Sequence, residues 1–157
     1  MLKFNKILEA RRLRMRLPLS EMERKYLRKK RVRINQILTK TTEELKDILN
    51  CSTERALELK GLLDFQQIPS VGLGAARMMV HVLKFYTVND VRNENPAELF
   101  DRYEKLVGCR VDPCVEDQFR CIVYHANELN SVLEWPDFTD ERKEYRKEHG
   151  YPSDRPD

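Results

Sequence analysis

Helix punctuation recurs along this 157-residue chain so often that little room is left for another kind of element. Ser20-Glu21-Met22-Glu23 and Thr41-Thr42-Glu43-Glu44 are capping boxes. In each, the hydroxyl accepts from the third helical amide and the glutamate accepts from the amide of the cap residue. Asn95-Pro96-Ala97-Glu98 puts Asn at N-cap, Pro at N1 and Glu at N3, and Asp112-Pro113 repeats the device. Gly108 and Gly150 stand where a left-handed residue closes a helix. Between these marks the apolar residues fall at helical spacing. The pattern predicts helices from Phe4 to Arg16, from Ser20 to Leu38, and from Thr42 to Leu49. Further ones are expected over Thr53–Phe65, Ala75–Phe85, Pro96–Val107, Pro113–Leu129 and Thr139–His149. The Val32/Ile34 pair and Val111 are too short for strands. An all-α fold follows, one body of five to seven helices preceded by a basic arm.

Charge divides the chain in the same place. Residues 1–40 hold 14 Lys and Arg against 3 Glu, a balance of +11, and the rest carries −8. Eleven cations lie within residues 11–33, from Arg11, Arg12, Arg14 and Arg16 through Arg28, Lys29, Lys30, Arg31 and Arg33. Such an arm seeks a polyanion, the acidic body of its own chain, another acidic protein surface, or an anionic membrane face. No apolar run approaches the roughly 20 residues that span a bilayer. The basic N-terminus lacks the apolar stretch and cleavage site of a signal peptide. These features imply a cytoplasmic protein. The divisions expected are a basic helical arm (1–38), a helical domain with a C-terminal extension (39–150) and a tail (151–157).

The informative stretch is Ile68-Pro69-Ser70-Val71-Gly72-Leu73-Gly74-Ala75-Ala76-Arg77-Met78. A dinucleotide loop would need a third glycine and a preceding strand. The better reading is a hairpin between two helices. Its glycines allow positive φ and close approach of another backbone. Free amides at the start of the next helix, aided by the dipole, suit one phosphate, and Arg77 reaches a second. Upstream, Ile48-Leu49-Asn50-Cys51-Ser52-Thr53-Glu54-Arg55-Ala56 reads as a degenerate copy, with Asn50 and Ser52 at the glycine positions. Asn tolerates left-handed φ and Ser caps helices.

The glycine pattern resembles the helix-hairpin-helix motif, a DNA-backbone-binding element in which Met78 takes a position usually held by alanine. Three segments, Ile68–Gly72, Thr87-Val88-Asn89-Asp90-Val91 and Asp112–Tyr124, with the closing Trp135-Pro136-Asp137-Phe138-Thr139, resemble the pathogenicity-locus family of small bacterial helix-hairpin-helix proteins. Some relatives are labelled mitomycin-resistance proteins. The likeness covers residues 40–147 and departs at Phe85, where relatives usually carry a glycine. It implies a tandem helix-hairpin-helix (SAM-like) domain. By motif position the carbonyls of Ile68, Ser70 and Leu73 would hold a monovalent cation bridging to phosphate.

The function expected is non-enzymatic, sequence-independent binding of duplex DNA, accessory to DNA repair or damage tolerance. The contacts expected are Gly72, Leu73, Gly74, Ala75, Ala76 and Arg77 on one strand. Asn50, Ser52, Thr53 and Arg55 would meet the other, and Arg28, Lys29, Lys30, Arg31 and Arg33 would come from the arm. The alternative is a protein-interaction or regulatory module in which the hairpins are structural. Cys109, Cys114, Cys121 and His125 tempt a zinc reading. Cys114 and Cys121, however, fall two turns apart on one helix, roughly 10 Å, too far for one zinc. At N2 of its helix Cys114 should have a lowered pKa. Asp112 reads as a helix cap, and Glu116 and Asp117 as first-turn acids facing the dipole. No nucleophile–base constellation or P-loop is present.

Overall fold

The computed structural model describes residues 5–6, 9–11 and 14–157, and within them every regular element is helical. Residues 5–6 and 9–11 are helical, and from Glu21 on the helices in chain order are α1 (Glu21–Lys29), α2 (Thr42–Leu49), α3 (Thr53–Gln66) and α4 (Leu73–Arg77), then α5 (Pro96–Val107), α6 (Cys114–Asn127) and α7 (Thr139–His149). Helix α4 runs on as a π-helical turn over Met78–Val82, and 3-10 turns occupy Ile34–Thr39, Val88–Val91 and Trp135–Phe138. Among the described residues no helix is long and apolar enough to cross a membrane.

The caps form as their sequences require. Ser20 Oγ accepts from Glu23 N–H at 3.1 Å while the Glu23 carboxylate accepts from Ser20 N–H at 2.8 Å. Thr41 and Glu44 do the same at 3.1 and 2.7 Å. Asn95 Oδ1 accepts from Ala97 and Glu98, and Gly108 closes α5 at φ 74°. Asp112 caps α6 from one residue further out than expected, its Oδ1 accepting from Cys114 N–H at 2.8 Å, so Pro113 precedes the helix.

Helix α3 is the axis of the core. Leu59, Leu62, Leu63 and Phe65 are fully buried, each worth about 1.5–3 kcal/mol of transfer free energy. Its apolar residues face several neighbours, as in a central helix. Gly61 is needed because a Cβ there would stand 2.9 Å from the Tyr86 carbonyl oxygen and 3.1 Å from Val80 Cγ2. Gly61→Ala should therefore lower stability by about 1–3 kcal/mol despite alanine's better helix propensity. Urea unfolding checks this, and an unchanged or higher midpoint would contradict it.

Two expected helices are shorter than the sequence suggests. Residues 15–19 form no regular element, with Met15, Leu17 and Leu19 buried in the common core. Pro18 disfavours helix there. The Gln66 carboxamide replaces the missing partner, accepting from Arg16 N–H at 3.0 Å and donating to Arg16 carbonyl at 2.8 Å. Helix α1 stops at Lys29, with Arg31 left-handed at φ 56° and Val32 N–H donating to the Leu27 carbonyl. Continuing it would carry a run of adjacent cations along one rod. Turning instead lets Val32 and Ile34 pack on the core. The expectations at Phe4, Ile7, Leu8, Arg12 and Leu13 lie outside the described residues.

Glu116 and Asp117 are also not surface acids. Both are buried. Glu116 accepts from Arg120 Nη2 and Arg146 Nε, each at 2.8 Å, and Asp117 accepts from Arg142 Nε at 2.6 Å and Thr139 Oγ1 at 2.9 Å. Arg146 continues to Asp101. The terminal segment is held likewise, Arg155 pairing with buried Glu104 at 2.6 Å and lying over the Tyr151 ring. Helix α7 buries no residue of its own fully, so these ion pairs fasten it to α5 and α6.

Candidate nucleic-acid interface

The α3–α4 turn is built by Gln67–Gly72. Its left-handed residue is Ser70, at φ 57°, and not a glycine. Gly72 is the N-cap of α4 at φ −94°, ψ −174°, extended backbone open to any residue. Neither Gly72 nor Gly74 has positive φ, and a Cβ on either would meet nothing within 4 Å. The expectation that these glycines serve the turn's own conformation is thereby corrected. Nothing inside the described chain requires them, and what they leave open is the outer face of the turn.

That face is lined with donors. The first backbone bond of α4 runs from Ala76 N–H to the Gly72 carbonyl at 3.0 Å. The amides of Gly72, Leu73, Gly74 and Ala75 have no backbone acceptor among the described residues. Gly72, Gly74 and Arg77 are exposed, Leu73 is half-buried, and Ala75 and Ala76 pack inward. The Ile68 carbonyl accepts from Val71 N–H at 3.2 Å. Ser70 Oγ accepts from Trp135 N–H at 2.8 Å and donates to the Pro69 carbonyl at 2.6 Å. The turn is thus braced by the Trp135–Phe138 segment, a long-range contact with no local sequence signal.

Met78 begins the π-helical turn, Leu83 N–H donating to the Met78 carbonyl at 3.0 Å. Its side chain is half-buried against the core, and the extra residue per turn is the departure from regular helix at this larger side chain. Lys84, at φ 62°, takes the left-handed position that ends the segment, so Phe85 need not be glycine.

Two arm cations come to the same place. Arg11 and Arg14 line a cavity of about 280 Å³ together with Gln66, Ser70, Val71 and Gly72. Arg11 also stands 3.6 Å from Glu134, and Arg14 is exposed. The density of arm cations is visible in the sequence, but which of them reach the turn depends on the path of the non-helical residues 15–19.

The upstream turn differs. Asn50 is left-handed at φ 49°, and Ser52 Oγ caps α3 by accepting from Arg55 N–H at 3.1 Å. Asn50, Ser52 and Thr53 are exposed. Arg55 is turned inward, its Nε 2.9 Å from Glu23 Oε1 and its Nη2 2.8 Å from the Pro18 carbonyl. The hydrogen bonds that Arg55 and Ser20 N–H donate to the Glu23 carboxyl hold it below the ordinary glutamate range. Both turns flank the same helix, α3, so its 14 residues separate them by about 21 Å. Lys29, Lys30 and Arg31 are exposed at the end of α1, while Arg28 and Arg33 border an apolar groove.

The cysteines correct one expectation. Burial and the hydrogen bond to Asp112 push the Cys114 thiol up to about 11, where a helix N-terminus alone would lower it. Burial pushes Cys121 up to about 12. Burial also holds His125 below the ordinary histidine value, and its ring Nε2 lies 2.9 Å from the Leu133 carbonyl. Among the described residues no group of three His, Cys, Asp or Glu is placed to hold a metal ion. Exposed Cys109 should therefore react with iodoacetamide at pH 7.5 well before Cys114 and Cys121. Peptide mass spectrometry over time reads the order, and early modification of Cys114 would contradict it.

A family model described as Cdd1, pathogenicity locus, matches residues 58–144. No curated protein and no solved structure matches the chain.

Proposed function

The chain belongs to the pathogenicity-locus family, and on that premise we propose that it is a non-enzymatic, sequence-independent binder of duplex DNA, acting through a helix-hairpin-helix contact in DNA repair or damage tolerance. The observation that carries this reading is the pair Gly72 and Gly74. They are exposed, conformationally unnecessary and free of internal neighbours, beside four amides without backbone acceptors. Side-chain-free residues at an open, donor-rich turn suit an oxyanion that approaches the backbone closely.

In this reading the amides of Gly72–Ala75 hold one phosphate. Arg77 and Arg14 contact its neighbours, and Lys29, Lys30 and Arg31 add long-range attraction. The Asn50–Thr53 turn takes a lesser part in the tandem arrangement. Ser52 already fills one donor there, Arg55 is held by Glu23, and exposed Glu54 opposes a phosphate. The net-acidic body outside the arm makes binding depend on a few placed contacts rather than on overall charge.

Salt titration of binding to a 20-base-pair duplex tests this. Two to four phosphate contacts give a log–log slope of about −2 to −4, at about 0.9 per contact. Duplexes of unrelated sequence should bind alike. No saturable binding at 50 mM salt, or a strong preference for one sequence, would reject the proposal.

A further inference from the structure

The arm carries a second surface of different chemistry. Between α1 and the Ile34–Thr39 turn lies a groove of about 460 Å³. Its floor is Met15, Leu19 and Leu27, all buried in the common core, and its walls are Val32 and Ile34. Arg24, Arg28 and Arg33 border it. Among the described residues none of these three guanidiniums is paired with a carboxylate, and no acidic residue lines the groove. Among the described residues the Arg24 guanidinium donates to the Leu19 carbonyl, at 3.3 Å. Residues 14–35 hold nine Lys and Arg against Glu21 and Glu23, and Glu23 is occupied by Arg55.

We propose that this groove docks an acidic amphipathic helix of a partner protein. An apolar trough with cations on its borders matches a helix presenting leucine-like side chains at i, i+3 and i+4, with carboxylates beside them. Arg24 and Arg28 lie one turn apart on α1, and Arg33 follows beyond the Arg31 turn. This spread suits several carboxylates along a rod better than the single head group of a fatty acid. Duplex DNA offers phosphates but no apolar surface for the trough. A bilayer is too flat to reach a floor whose residues are all buried. The docking surface shares Met15 with the cavity beside the Gly72 turn but includes no residue of Gly72–Arg77, and it does not depend on DNA binding there.

The full-length chain is titrated with a synthetic 15-residue helical peptide carrying Leu at i, i+3, i+4 and i+7 and Glu between them. Controls are the same residues in scrambled order and a version with Lys for Glu. Amide and methyl shifts should concentrate in residues 15–35. Affinity should fall at least tenfold for the scrambled and Lys peptides and for Arg28→Glu/Arg33→Glu. Gly72→Asp, which addresses the DNA-binding turn, should leave it unchanged. Circular dichroism confirms that the variants are folded. Equal binding of the scrambled peptide would overturn the proposal by reducing the surface to bare charge. So would displacement of the Leu19 and Leu27 methyl shifts by duplex DNA or by anionic vesicles, self-association through the groove without peptide, or no binding at millimolar peptide.

Discussion

Replacing Gly72 with aspartate should leave the protein folded and a few tenths of a kcal/mol more stable, while duplex affinity falls at least tenfold. The two effects have opposite signs because the residue serves its own chain and its ligand differently. Its backbone is extended and a Cβ there has free space, so no strain arises. Aspartate is a better N-cap than glycine by a few tenths of a kcal/mol, and a negative charge at a helix start is favourable. The same carboxylate would accept from the amides that a phosphate needs and repel the phosphate itself. A tenfold loss corresponds to about 1.4 kcal/mol, modest for placing a charge against a phosphate. Gly74→Asp should behave alike. Fluorescence anisotropy with a labelled duplex and a thermal melt together read the result. Undiminished affinity in a stably folded Gly72→Asp/Gly74→Asp protein would mean that the turn does not touch DNA. If removal of the arm then abolished binding, the arm alone would be responsible.

The largest loss of stability should come from Glu116→Ala, about 3–5 kcal/mol. Glu116 is fully buried and accepts from both Arg120 and Arg146. Its removal leaves two largely buried guanidiniums short of a partner, and breaking a buried pair costs about this much. In a chain of this size the melting temperature should drop by roughly 10 °C. Arg120 keeps Glu141, and Arg146 keeps Asp101, which favours the lower end of the range. Hydrogen exchange should quicken first in α7, since ion pairs rather than buried apolar residues hold that helix. A change below about 1 kcal/mol would show that the network relaxes without Glu116. Glu116→Gln separates charge from shape, because the amide preserves volume but cannot neutralise either arginine.

Glu116 also shows where sequence reading stops. An acid in the first turn of a helix is explained locally by the dipole, and nothing nearby indicates that Arg146, 30 residues away, will close over it. Arg55 is a parallel case, a surface cation by its local pattern and a tie to Glu23 and Pro18 by its contacts. Cys114 fails in part for the same reason, since the burial that does most to raise its thiol depends on packing, whereas the Asp112 contact is local. The glycine turn was legible as a turn. Its left-handed residue was not, because Ser70 takes that conformation while held by Trp135.

Local sequence is enough for the helical class, the starts of α1, α2 and α5, the α3–α4 turn, and the split between a cationic arm and an acidic body. Those properties come from caps, periodicity and charge, which act within a few residues or sum over many. Long-range packing set the rest: residues 15–19 leave the helix and Arg16 bonds Gln66, Arg11 and Arg14 arrive at the Gly72 turn, and buried ions fasten α7. These outcomes depend on partners tens of residues away. Their energies become favourable only once the core has excluded water and fixed both sides of each contact.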